Sequence, residues 1–146
     1  MILCREMTAS DVSVLAEIER ANFSRPWSEE SLLKELGNDN SIFITAECEG
    51  NIAGYGGMYL IGTEGDITNI VVSSLYRQRG VASAIISSII DNAKKHGITE
   101  ITLEVRESNK AAVQLYEKYG FRSVGKRPGF YDFPKEDALI MWLRDI

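Results

Sequence analysis

The stretch from Asp66 to Val105 constrains the fold more than any other part of the chain. The apolar run Ile70-Val71-Val72 closes a strand that starts near Asp66. Val81, Ala84, Ile85, Ile89 and Ala93 then recur at helical spacing between Gly80 and His96. Ile98 to Val105 alternates, with Ile101, Leu103 and Val105 on one face and Thr102, Glu104 and Arg106 on the other. Two strands joined through a helix are expected to be parallel, because a hairpin turn cannot connect parallel neighbours.

The remaining segments surround this unit. Ile2 to Met7 reads as a strand, and Thr8-Ala-Ser-Asp11 as a capping-box start for a helix that turns Val12, Leu15 and Ile18 inward. Arg25-Pro26 stops that helix. Ser28 caps a second short helix carrying Leu32, Leu33 and Leu36, and Gly37 ends it. Ser41 to Cys48 and Ile52 to Ile61 form a hairpin about Glu49-Gly50-Asn51. Gly54, Gly56 and Gly57 in its return strand point to bulging or close backbone approach. Asn109 starts a helix to Tyr119 that Gly120 closes, and Phe121 to Tyr131 and Ala138 to Leu143 are the last strands. The order β-α-α-β-β-β-α-β-α-β-β predicts a mixed α/β (α+β) fold, a sheet with helices on its faces.

The 146 residues carry a net charge of −5, with a pI near 5.0. That size predicts a single domain over residues 1–146, and the charge argues against general binding of nucleic acid backbones. No apolar run approaches the length of a membrane span, and the first residues carry charge by position 5, unlike a signal peptide. Cys4 and Cys48 are too few and too far apart for a disulfide framework or a zinc site. Two buried free thiols in a cytoplasmic protein are the expected reading, with no metal.

If an acidic chain binds phosphates, it does so at a local site. Arg77-Gln78-Arg79-Gly80-Val81-Ala82-Ser83 stands where the strand gives way to the helix. A helix start offers free N–H groups and the positive end of its dipole. Gly80 and Ala82 keep bulk away, and Arg77 and Arg79 add charge. A solvated loop, with Gly80 merely shaping the turn, accounts for the same residues equally well. A P-loop and a G-x-G-x-x-G fingerprint are both absent.

Arg77-x-x-Gly80-x-Ala82 resembles the (Q/R)xxGx(G/A) motif of the GCN5-related N-acetyltransferase (GNAT) family, as does the whole element order. Phe23-Ser-Arg-Pro-Trp-Ser28, Asn69-Ile-Val-Val72, Leu103-Glu-Val-Arg-Glu-Ser-Asn109 with Leu115-Tyr-Glu-Lys-Tyr-Gly-Phe121, and Glu136-Asp-Ala-Leu-Ile-Met141 narrow the resemblance. They are similar to bacterial members of the family that acetylate the N-terminal alanine of a small-subunit ribosomal protein. The resemblance implies the GNAT fold, a mostly antiparallel sheet with a central parallel pair. It also implies acetyl-CoA as cosubstrate, a ribosomal-protein N-terminal peptide as acceptor, and a monomer that binds neither nucleic acid nor membrane.

By the same resemblance, Arg77, Gln78, Arg79, Gly80, Val81, Ala82 and Ser83 hold the pyrophosphate, and Ile70, Val71 and Val72 lie along the pantetheine. Asn109 contacts acetyl-CoA, though it also makes a good helix N-cap. Glu104 matches the general base and Tyr116 the general acid. A solvated strand carboxylate and a core aromatic are the plain readings of those two residues. The loops Phe23 to Trp27 and Tyr131 to Glu136 wall the acceptor groove, with Trp27 and Tyr131 as contacts. A lysine side chain or small amine as acceptor, or a non-catalytic acyl-CoA sensor, are the alternatives.

Overall fold

In the computed structural model, which describes residues 1–146, seven strands share one sheet. They are β1 (Ile2–Glu6), β2 (Ser41–Cys48), β3 (Asn51–Ile61), β4 (Glu64–Val72), β5 (Glu100–Arg106), β6 (Arg122–Tyr131) and β7 (Glu136–Leu143). Their order across the sheet is β1-β2-β3-β4-β5-β7-β6. Every neighbouring pair is antiparallel except β4 and β5, the pair that the crossover predicts to be parallel. The helices are α1 (Val12–Asn22), α2 (Glu29–Glu35), α3 (Val81–Lys95) and α4 (Lys110–Lys118). Glu49 and Gly50 both take positive φ, 54° and 83°, which is the two-residue turn that joins β2 to β3.

The sheet separates two cores. On one face, α3 buries Val81, Ile85, Ile86 and Ile89 against Ile101, Leu103 and Met141, with Tyr116 and Phe121 completing the cluster. On the other, α1 and α2 bury Val12, Leu15, Ile18 and Leu32 against Phe43, Tyr55 and Val71. Each such side chain contributes about 1.5–3 kcal/mol of burial. Leu33 and Leu36 are exposed, because the seven-residue α2 turns only Leu32 to the sheet. Cys48 is buried, but Cys4 on the edge strand is only half-buried.

The glycines of β3 mark close approach, as their spacing predicts. A Cβ on Gly54 would stand 2.4 Å from the Val71 carbonyl oxygen, and one on Gly57 would stand 2.5 Å from the Phe43 ring. Opposite Gly57 the β3–β4 ladder breaks register: Gly57 pairs with Asn69 and Met58 with Ile67, so Thr68 is an extra residue. A bulge bends its strand and increases the twist. It also resets the alternation of β4, so Ile67 and Ile70 both face the α3 core while Val71 faces α1.

The consequence lies at the joint with β5. The parallel ladder comprises Glu64↔Glu100, Gly65↔Ile101 and Asp66↔Thr102, and stops there, just before the bulge. Both strands continue, β4 to Val72 and β5 to Arg106, but apart. The edge of β4 from Ile67 onward has no partner strand on that side, whereas β5 pairs along its other edge with β7 from Ile101 to Arg106.

Candidate active site

Beyond the end of β4, a short 3-10 turn at Ser74–Tyr76 leads to Arg77 and into α3. Gly80 is the N-cap of α3 at φ 83°, and Gln78 also has positive φ, 62°. A Cβ on Gly80 would meet nothing closer than Ile2 at 4.0 Å, so the turn requires glycine for its backbone angle rather than for room within the chain. The Ser28 and Asn109 side chains cap α2 and α4, but no side chain caps α3 and no acid stands in its first turn. The N–H groups of Val81, Ala82 and Ser83 therefore donate to nothing within the chain. They form an anion site made from main chain, on a 15-residue helix whose dipole points the same way. Arg79 flanks it, 4.0 Å from Glu49 and stacked 5.7 Å over the Tyr76 ring. Arg77 donates to Asn22 at the end of α1, and the Ser83 hydroxyl meets that of Tyr119.

The opened joint carries the ionisable groups. Glu104 projects from β5 on the face away from α3, and Arg127 of β6 meets it at 2.9 Å. Asp66, across the joint on β4, has its carboxyl pushed up by burial and by the Glu104 charge, with Arg127 opposing. The Tyr131 phenol is pushed up to about 12 by burial and then by Glu104. Tyr116 of α4 is also pushed up to about 12, by burial first and by Tyr131 second. Its ring packs on Phe121 at 5.8 Å, so it is a core aromatic. Its hydroxyl makes no hydrogen bond in the chain and is not among the fully buried polar atoms, so it is not sealed in the core. A packed tyrosine can still present its hydroxyl to a cleft. Asn109 acts as a cap, its side-chain oxygen accepting from the Ala112 N–H at 3.2 Å.

The two loops expected to wall an acceptor groove meet each other. Arg25 pairs with Asp132 at 3.1 Å and lies 5.9 Å over the Phe133 ring. Arg106 fixes the second loop: it donates to the Asp132 and Pro134 carbonyls at 3.0 and 2.9 Å, pairs with Glu136 at 3.2 Å, and stacks 4.5 Å over Tyr131. Trp27 turns its ring to Phe43, 5.7 Å away, and packs onto the α1 core.

The acetyltransferase (GNAT) family profile matches residues 12–121. The chain belongs to the GNAT family of acetyltransferases. The [ribosomal protein bS18]-alanine N-acetyltransferase of Escherichia coli K12 is 31% identical over 94% of this chain and 93% of its own length. A Bacillus subtilis relative is 34% identical over 95% of this chain and 93% of its own. The crystal structure of the Escherichia coli ribosomal-protein-S18-alanine N-acetyltransferase superposes with a TM-score of 0.90 at 28% identity, covering 99% of this chain and 94% of that one. The fold is also that of a Thermoplasma acidophilum PaiA N-acetyltransferase in complex with coenzyme A, with a TM-score of 0.82 at 18% identity over 99% of each chain.

GNAT acetyltransferases take acetyl-CoA as donor, and the residues here fit it. Three free amides and a left-handed glycine suit a pyrophosphate, and the unpaired edge of β4 suits an extended amide-bearing arm. Several neighbours of the site escape sequence reasoning. Arg127, Arg106 and Asp66 become partners only once β4, β5, β6 and β7 are in register. Glu19 is the sharpest miss. It follows inward-facing Ile18 on α1 and is 1% exposed, accepting hydrogen bonds from Tyr55 and Asn69. Its spacing was the available signal; its charge argued for solvent.

Proposed function

We propose that this GNAT enzyme transfers acetyl from acetyl-CoA to the α-amine of an N-terminal alanine on a small-subunit ribosomal protein. One observation carries the chemistry: Tyr131 feels the charge of Glu104, and Tyr116 in turn feels that of Tyr131, so the three groups form a chain beside the opened strand joint. The names of the Escherichia coli relatives support the acceptor. The amides of Val81, Ala82 and Ser83, flanked by Arg77, Gln78, Arg79 and Gly80, hold the pyrophosphate. Ile70, Val71 and Val72 present the strand edge, whose N–H groups polarise the carbonyl that is attacked.

Acetyl-CoA supplies an activated acyl group: a carbon–nitrogen bond to the acceptor replaces the carbon–sulfur bond. Glu104 takes the proton that the amine gives up, directly or through one water. Tyr116, a phenol that stays protonated at neutral pH, returns a proton to the departing thiolate. A free α-amine with a pKa of about 7.7–8.0 is already about a tenth neutral at pH 7, whereas a lysine near 10.4 is neutral about once in a few thousand. A modest base therefore suffices for an N terminus. Tyr131 and Trp27 belong to the acceptor side, and a basic peptide complements the net charge of −5.

The test is acetyl-CoA turnover with a peptide beginning with alanine, before and after its N terminus is blocked, beside a panel of small amines. Acetylation of the free peptide, lost on blocking and located at residue 1 by mass spectrometry, is the expected result. Equal acetylation of the blocked peptide overturns the reading.

A further inference from the structure

We infer that Asn69 and Glu19 are positioning residues for acetyl transfer, which pin the Thr68 bulge of β4 to the last turns of α1 and so fix the strand edge that receives the thioester. The inference rests on the proposal that Ile70 and Val72 present that edge to the donor.

Stability alone is a poor reason for Glu19. A buried carboxylate without a cation costs more than an apolar side chain of its size. No lysine, arginine or histidine pairs with Glu19, and burial pushes its carboxyl up. What the position does supply is an acceptor at one point. Tyr55 of β3 donates to Glu19 Oε1, and the Asn69 amide donates to the same oxygen at 2.5 Å and to the Tyr55 oxygen at 2.6 Å. Thr68, the bulged residue itself, donates to Asn69 Oδ1 at 2.8 Å. Asn69 is thus held on both ends of its amide, immediately after the extra residue.

That location matters because the bulge decides two things at once. It turns β4 away from β5 after Asp66, and it sets which way Ile70 and Val72 face. The same end of α1 also receives the phosphate turn, through the bond from Arg77 to Asn22. The backbone N–H of Trp27 lies near enough to the Glu19 carboxylate to oppose the effect of burial. The last turns of α1 therefore tie together the bulge, the phosphate turn and the start of α2.

The experiment compares the full chain with Asn69→Ala, Asn69→Ser, Tyr55→Phe and Glu19→Gln, reading Tm, kcat and the acetyl-CoA KM. Both Asn69 variants are expected to lose at least about tenfold in kcat, because a small misplacement of the reacting groups is enough for that. Their acetyl-CoA KM should stay within about threefold, because the grip of α3 on the phosphates is untouched. Tyr55→Phe keeps the Asn69–Glu19 bond, so it lowers Tm but keeps kcat within about twofold. Glu19→Gln retains an oxygen acceptor and rescues most of kcat. If Asn69→Ala fails to fold, Asn69→Ser carries the test. Asn69 variants that lose Tm but keep wild-type kcat overturn the inference. If the wild-type enzyme ignores the alanine peptide, the functional proposal fails separately, and kcat is read on whichever amine in the panel is acetylated.

Discussion

The corner around Arg5 and the opened joint around Glu104 are built from the same side-chain types and behave in opposite ways. At the corner, Arg5 donates to both oxygens of Asp11 at 2.8 and 2.9 Å and to Glu47 at 2.5 Å. The Thr8 N–H and the Thr45 hydroxyl complete the set at 2.8 and 3.1 Å. Burial alone would raise the Asp11 carboxyl, but these donors together hold it below the usual carboxylate range. At the joint, Glu104 has one ion pair, to an arginine whose side chain is 58% exposed, and its charge raises Asp66 and Tyr131. A carboxylate whose lone pairs are filled by the chain stores stability. One left partly free beside a gap in the sheet keeps lone pairs open to whatever enters the gap. Substitutions at the corner should therefore cost stability without turnover, and those at the joint turnover without stability.

The largest effect expected is from Arg5→Ala, which leaves Asp11 buried without its cation. Breaking such a pair costs about 3 kcal/mol, measurable by urea or thermal unfolding, while kcat/KM of the folded enzyme is unchanged. The pH dependence has a definite sign. Because the Asp11 carboxyl is depressed, its contribution is fully present above the ordinary value near 3.9 and is lost as pH falls through the folded value. The gap between wild type and variant should be full at pH 7 and narrow below about pH 4. Turnover that falls in step with stability would erase the contrast between the two regions.

Next in size is Glu104→Gln. Loss of a general base costs about 100-fold in kcat/KM at pH 7, close to 2.7 kcal/mol of barrier. Tm should move by no more than about 2 °C, since the pair with Arg127 is half in solvent. Steady-state kinetics across pH 6–9, with a melting curve on the same sample, settle both halves. Unchanged kcat/KM would remove Glu104 from the chemistry.

This contrast also separates what was legible in the sequence from what was not. Element order, the parallel pair and the glycine turn before α3 depend on local alternation, helical spacing and one glycine, all of which are written in consecutive residues. The joint itself is not local. It opens because Thr68 is extruded where Gly57 leaves space beside Phe43, and Phe43, Gly57 and Thr68 come from three different strands. Glu104 is readable on the outward face of its strand, but its partner Arg127 depends on the register of β6 against β7, which shifts on both sides of Arg127. Glu19 is hidden for a similar reason: only Tyr55 and Asn69, 36 and 50 residues away, make a buried carboxylate tolerable there.

A smaller effect tests the phosphate end of the joint. Gly80→Val puts a β-branched residue at φ 83°, which costs about 1–2 kcal/mol locally or reorients the amides that follow. The acetyl-CoA KM should rise about tenfold, with kcat within about threefold, because the proposed base on β5 and acid on α4 are untouched. A fall in kcat at constant KM would mean that the turn serves the chemistry rather than the grip.

The smallest effect expected is at Tyr131, and it asks how far the open region extends. Tyr131 and Tyr116 are both pushed up to about 12, so both phenols keep their protons at neutral pH. They differ in their surroundings: Tyr116 packs into the core from α4, whereas Tyr131 ends β6 beside the loop clamped by Arg106. Tyr131→Phe keeps the ring, and with it the 4.5 Å stacking of Arg106 that holds the loop. The acceptor KM should rise about twofold to threefold, with kcat and the shape of the pH profile unchanged, as for the loss of one uniform binding contact. Tyr116→Phe in the same assay should lower kcat and leave the acceptor KM alone. If the two substitutions exchanged signatures, the proton for the thiolate would come from the loop, and the acceptor would sit over α4.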